Sequence, residues 1–170
     1  MTGRFAAVDV HYPPEGGARA AVVLATDETF GSLVAEHVHR LDEVMPYEPG
    51  RFYVRELPAV LAVLADVGEL GLVVIDGYVD LDPHGRPGLG ARLYAEIGTP
   101  VIGVAKTLFH GATHAAEVRR GTASKPLYIT AVGVPLDDAA ALVAAMAGPH
   151  RLPDALRRVD ALARGASPAG

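Results

Sequence analysis

The sequence predicts an α/β protein built as a mixed sheet with helices on both faces. Three observations carry this. Leu70–Ile75 is a continuous apolar run with no polar face, the pattern of a strand covered on both sides in the parallel part of a sheet. Phe5–Val10 and Ala20–Ala25 are apolar runs separated by turn chemistry, His11-Tyr12-Pro13-Pro14-Glu15-Gly16-Gly17, which predicts a hairpin. Further along the chain, strand-like runs alternate with helical periods, as they do in sheets with helices packed on them.

Composition sets the bounds. At 170 residues the chain is expected to form one domain, 1–170, with residues 165–170 as a loose tail. Half of the residues are hydrophobic, which argues against disorder. Cysteine is absent, so disulfides, thiolate metal sites and a cysteine nucleophile are excluded, and any metal must be held by oxygen or imidazole. No apolar run is long enough to span a membrane, and Met1-Thr2-Gly3-Arg4 leads into a strand without a signal-peptide pattern, so a cytoplasmic protein is expected. The net charge of −5 offers phosphates no general attraction, so binding to nucleic acid would need local cations or a metal.

After the hairpin, Phe30–Leu41 alternates imperfectly and reads as a third, half-exposed strand. His37 and His39 share one of its faces but lack a third ligand nearby, which makes them surface residues. Tyr47-Glu48-Pro49-Gly50 is a loop. From Glu56 to Val67, Leu57, Val60, Leu61 and Leu64 recur at helical spacing, with Pro58 placed in the tolerant first turn. Gly77–Gly88 is a loop, Leu89–Ile97 a helix closed by Gly98, and Pro100–Ala105 a buried strand ending at Lys106. Phe109–Gly121 is irregular or a short helix, and Leu127–Val132 is the last strand. Asp137–Ala147 and Pro153–Ala163 are helices.

The acids within this frame suggest chemistry. Asp9 interrupts an apolar strand, and an ionised carboxylate resists leaving water unless a cation or partner meets it. Asp76 ends the most apolar strand and is followed by Gly77; the carboxyl ends of strands are where open α/β sheets hold ligands. An Asp-Gly turn accounts for the same residues without function. Glu56 near a helix start has its own structural explanation in the helix dipole. Lys106 could face a phosphate or simply pair with one of the acids. If the first strand lies beside the fourth, Asp9, Asp76 and Glu56 can converge on Mg²⁺, or Mn²⁺, which take oxygen ligands and keep some waters. Such an ion activates water for phosphodiester cleavage.

Asp9-Val10, then Tyr47 through Glu56, then Val74-Ile75-Asp76-Gly77, then Ile102-Gly103-Val104-Ala105-Lys106 together resemble the endonuclease V family. Arg151-Leu152-Pro153-Asp154 with Arg157 and Asp160 resembles that family's closing helix. The resemblance implies a ribonuclease-H-like fold and Mg²⁺-dependent cleavage of DNA or RNA close to a deaminated base, chiefly inosine. It implies Asp9, Glu56 and Asp76 as metal ligands and Lys106 as a catalytic cation. Tyr47, Pro49 and Gly50 would form a strand-separating wedge, with Gly77 and His84 on the substrate side.

The chain departs from the family pattern in several places, among them a short connection in which Arg120-Gly121 runs almost directly into Pro126-Leu127-Tyr128. The loop after Asp76 lacks a second glycine, and its Pro83-His84 inverts the family's His-Pro order. After the last strand, Val134 stands where the resemblance puts an active-site histidine. Either His110 or His114 supplies that imidazole, or catalysis is changed; the alternative function is a relative that binds damaged or structured nucleic acid without cutting. A domain binding a small phosphorylated ligand through Mg²⁺ is a third reading, but the glycine-rich phosphate loop usual for it is missing.

Overall fold

The computed structural model describes residues 3–46, 48–49 and 51–169. Its strands are β1 (Arg4–His11), β2 (Ala18–Ala25), β3 (Leu33–Leu41), β4 (Leu70–Asp76), β5 (Val101–Ala105), β6 (Ala116–Val118) and β7 (Leu127–Val132). The helices are α1 (Phe52–Leu64), α2 (Leu89–Ile97), α3 (Leu136–Ala145) and α4 (Asp154–Ala163). The strands form one sheet in the order β3-β2-β1-β4-β5-β7-β6. The hairpin pair β1 and β2 is antiparallel, as is β2 with β3, whereas β1, β4 and β5 run parallel in the centre. The mixed sheet expected from the sequence is therefore present.

Strand alternation divides the core into two layers. Ala7, Val74, Ile102 and Val104 face a layer completed by Ala139, Val143, Leu156 and Val159 of α3 and α4. Ala6, Val8, Val73 and Ile75 face the other, completed by Val60 and Val63 of α1 and Leu93 of α2. The parallel registers pair Ala7 with Val74 and Val74 with Ile102. Two residues on, the same alternation puts Asp9 and Asp76 on the α4 side at the carboxyl ends of neighbouring strands, with Lys106 following Val104 on that side. Alternation and register together bring these distant residues to one rim.

The sequence reading needs correction in several places. The third strand starts at Leu33, because the preceding segment is a turn in which Asp27 accepts hydrogen bonds from Thr29 Oγ1 and from the Gly31 and Ser32 amides. Helix α1 starts at Phe52, so Pro58 lies inside it, on an exposed face, and not in its first turn. Glu56 is in the second turn for the same reason, so the dipole explanation loses its force. The segment 109–121 contains a strand, β6, antiparallel to β7. The tail expected to be loose is tied down. Arg158 pairs with Glu36 of β3 and donates to the Ser167 carbonyl at 3.0 Å, and the Ala169 amide donates to Glu36 Oε1 at 2.7 Å.

Gly103 of β5 holds the rim in shape. A Cβ there would come within 2.5 Å of the Gly77 carbonyl oxygen and 2.7 Å of Thr130 Oγ1, which itself accepts the Val79 amide at 2.8 Å. Gly103→Ala is therefore expected to overpack the turn behind Asp76 and to destabilise the fold by about 1–3 kcal/mol, read by urea denaturation. A wild-type midpoint in that variant would show that the turn has slack.

Candidate active site

Asp9 and Asp76 line one small pocket with Lys106, Asp160 and the apolar side chains Leu152, Leu156 and Val159. A second small pocket joins the same two aspartates to Glu56. The acids thus reach the rim from three directions: β1 and β4 supply Asp9 and Asp76, α1 brings Glu56 over one face, and α4 brings Asp160 over the other. Lys106 Nζ stands 3.3 Å from Asp76 Oδ2, so the salt bridge allowed for Lys106 is formed. Arg164 Nε stands 3.0 Å from Asp160 Oδ1 at the outer edge.

Burial and crowding leave their mark on these carboxyls. Removal from water raises Asp9 from 3.8 to about 7, and the charge of Asp76 and the neighbouring Asp160 push the same way against the Val10 amide, which donates to Asp9 Oδ1 at 2.9 Å. Burial likewise raises Glu56 from 4.5 to about 7, helped by Asp76 and opposed by Arg55. The Tyr12 hydroxyl is also raised, by burial and then by Glu56; the Arg55 guanidinium stacks on its ring at 3.6 Å.

Arg151 holds the lysine end of the site. Its Nη2 donates to the Lys106 carbonyl at 2.6 Å and to Pro126 at 2.7 Å, and its Nε donates to Lys125 at 3.1 Å. Residue 151 precedes α4, so this clamp also ties the helix of Asp160 to the end of β5.

Beside the acids opens an apolar cleft of about 240 Å³, lined by Tyr53, Glu56, Asp76, Gly77, Tyr78, Leu81, Pro87, Gly88, Leu89 and Phe109. Gly77 adopts φ +129°, in the region open to glycine, and so turns the chain from strand β4 into the cleft wall.

The remaining sequence candidates are placed as follows. Tyr47 and Gly50 lie outside the described residues; Pro49 is exposed in the loop before α1. His84 sits on an exposed loop, its amide donating to Asp82 Oδ1 at 2.9 Å, and it does not line the cleft. His110 is exposed, while His114 is partly buried beside Asp80; neither lines an acid pocket. Val134 follows β7, which runs antiparallel to β5 with Val132 opposite Val101. Gly133 accordingly abuts Pro100 and Tyr94, at the end of β5 away from Lys106. An imidazole at position 134 would be remote from the acids, and the valine there packs on the α3–α4 layer.

In the sequence, Asp160 stands out only through the resemblance of the closing helix. A sharper signal was available: Leu156, Val159 and Ala163 define the buried stripe of α4, and a carboxylate at i+4 from Leu156 borders it.

The donor set is oxygen-rich, with Asp9, Asp76 and Asp160 on one pocket and a single ammonium opposing them. Among the described residues, no three His, Asp or Glu side chains stand as a ready-made metal cage, so the three-ligand set of Asp9, Glu56 and Asp76 is not preformed. Mg²⁺ rarely uses such a cage; it takes one or two carboxylates and keeps water and phosphate ligands. Crowded carboxyls that face a pocket fit an ion of that kind.

A central parallel trio of strands extended by antiparallel ones, with acids at its rim, defines a nuclease of ribonuclease-H-like fold, and known proteins support this. The sequence profile of the endonuclease V family matches residues 2–131. The endonuclease V of Streptomyces coelicolor is 36% identical over 97% of this chain and 79% of its own length. The crystal structure of endonuclease V from Streptomyces avermitilis superimposes with a TM-score of 0.79 at 33% identity, covering 96% of this chain and 80% of that one. An endonuclease V from Ciona intestinalis, solved with a 23mer DNA containing an inosine followed by a ribo-adenosine, shares the fold at a TM-score of 0.76 and 18% identity, covering 95% and 83%. The chain belongs to the endonuclease V family, whose members are hydrolases that cut nucleic acid. No helix among the described residues is long and apolar enough to cross a membrane.

Proposed function

We propose that this chain is an Mg²⁺-dependent endonuclease, with Mn²⁺ able to substitute, that cuts a phosphodiester bond near inosine in DNA or RNA and works in the cytoplasm. One observation carries the reading: Asp9 and Asp76 face a common pocket, and a cleft suited to a planar base opens directly beside it. Asp9 and Asp76 would hold the cation, and Asp160 lines the same pocket. A divalent ion there would supply the charge that favours attack on phosphorus and departure of the leaving oxygen.

The chain's own groups do the rest. Glu56 borders both the acid pocket and the cleft, and burial gives it a proton affinity near neutrality, where it can take the proton of an attacking water. Lys106, its ammonium 3.3 Å from Asp76 Oδ2, would offer that charge to the scissile phosphate. Tyr78 and Phe109 offer aromatic walls to a base turned out of its stack, and Gly77 leaves room for its edge. Tyr47, Pro49 and Gly50 are the wedge candidates, and His84, on the exposed loop beside Asp82, is a candidate for the substrate side. The alternative, a relative that binds without cutting, rests on Val134 and on the short loops; Val134 lies at the end of β5 away from the acids.

The test is cleavage of labelled single- and double-stranded inosine oligonucleotides, in DNA and RNA, with Mg²⁺ or Mn²⁺. Scission close to the inosine, lost on chelation and absent from adenosine controls, is the expected result. Intact strands under all these conditions would overturn the proposal.

A further inference from the structure

The cleft wall and the Lys106 segment are fastened to each other by one phenol. Tyr78 Oη donates to the Thr107 carbonyl at 2.7 Å and accepts the Phe109 amide at 2.9 Å. Its ring stands 6.1 Å from that of Phe109 at an interplanar angle of 56°. Both rings line the cleft beside Asp76. The hydroxyl therefore closes a ladder whose other rung is the Lys106–Asp76 ion pair: Asp76-Gly77-Tyr78 on one rail, Lys106-Thr107-Leu108-Phe109 on the other. Phe109 is 41% exposed and Leu108 54%, so the second rail has little packing of its own to hold it. Without the phenol, Thr107 and Phe109 lose those two hydrogen bonds, and beyond the Arg151 clamp on the Lys106 carbonyl the rail loses its tie to the cleft wall.

We propose that Tyr78 is a positioning residue that couples occupation of the cleft to Lys106. Its ring meets the base, while its hydroxyl fixes the backbone from which the ammonium projects. A base seated against Tyr78 and Phe109 presses the two rails into register, so the ammonium is aimed when the cleft is full. This rests on the nuclease reading above and adds to it the residue that links recognition to chemistry.

Two variants separate the hydroxyl from the walls. Tyr78→Phe keeps the ring and removes both hydrogen bonds. Affinity for an uncut inosine strand, measured by anisotropy in chelator, is expected within about twofold of wild type, while the single-turnover cleavage rate falls about tenfold, the scale of one or two lost hydrogen bonds. Phe109→Ala keeps the backbone amide and removes a wall; affinity should fall about tenfold, as for a lost stacking surface, and the rate of the bound strand should fall with it because the base no longer presses the rails together. A structural role alone would move neither quantity selectively. Tyr78→Phe that weakens binding but not the rate, or that changes neither, overturns the coupling. Wild type run alongside keeps the two failures apart: if it leaves inosine strands intact, the nuclease reading falls and takes this inference with it.

Discussion

Asp76→Asn is expected to abolish cleavage of inosine-bearing strands, with a rate loss of about 10³-fold or more, while the folded protein becomes more resistant to heat when divalent ions are chelated. The two effects have one cause. Asp76 sits between Asp9, Glu56 and Lys106, and its charge helps to raise both neighbouring carboxyls. Removing it deprives a cation of a ligand and the phosphate of its organised surroundings, yet relieves repulsion among buried acids. Asparagine keeps the size of the side chain, so the strand end and the Gly77 turn should persist. Asp9→Asn should behave alike. Single-turnover cleavage with Mg²⁺ and thermal melts in chelator check the pair of effects. A variant that cuts at the wild-type rate would remove Asp76 from the chemistry, and one that melts lower in chelator would show that its charge supports the fold.

The second large effect is a dependence of stability on pH that reverses when a cation is supplied. Asp9 and Glu56 ordinarily titrate at 3.8 and 4.5, and in the fold both are raised to about 7. Between those values the folded chain holds protons that the unfolded chain has released. Stability of the cation-free protein must then fall as pH rises from about 4 to about 7, and level off with respect to these groups above that. A bound divalent cation requires the ionised forms, so its stabilisation should be small at pH 5 and large at pH 8. For a chain of this size each kcal/mol moves the melting point by about 2–4 °C, so an upward shift of several degrees by Mg²⁺ or Mn²⁺ at pH 8 is expected. Melts at pH 5 and pH 8, with chelator and with either ion, test this. Equal shifts at both values, or none, would mean that the acids do not take the ion in their charged form.

Local signals carried much of the architecture. Apolar runs named β1, β2, β4 and β5, and helical spacing named the apolar face of α1, because burial of one face is written directly into residue order. Local signals failed where a distant contact sets the structure. Strand β6 is three residues long and exists by pairing with β7. The terminal residues carry no packing pattern and are held by Arg158 and Glu36, which belong to opposite ends of the chain. The early start of α1, at Phe52, moved Glu56 out of the dipole's reach and strengthened its claim to a chemical role.

By itself the sequence determined the fold class, marked Asp9 and Asp76 as acids within or ending apolar strands, and through its resemblance to the family pointed to Glu56 and Lys106. Which of them meet was decided only by the tertiary structure. Parallel register beside strict alternation placed Asp9 and Asp76 at one rim, the antiparallel course of β7 carried Val134 to the far end, and α4 laid Asp160 across the pocket. The reason is physical: burial is a property of each residue and its near neighbours, whereas convergence depends on strand order and direction, which no short stretch of chain contains.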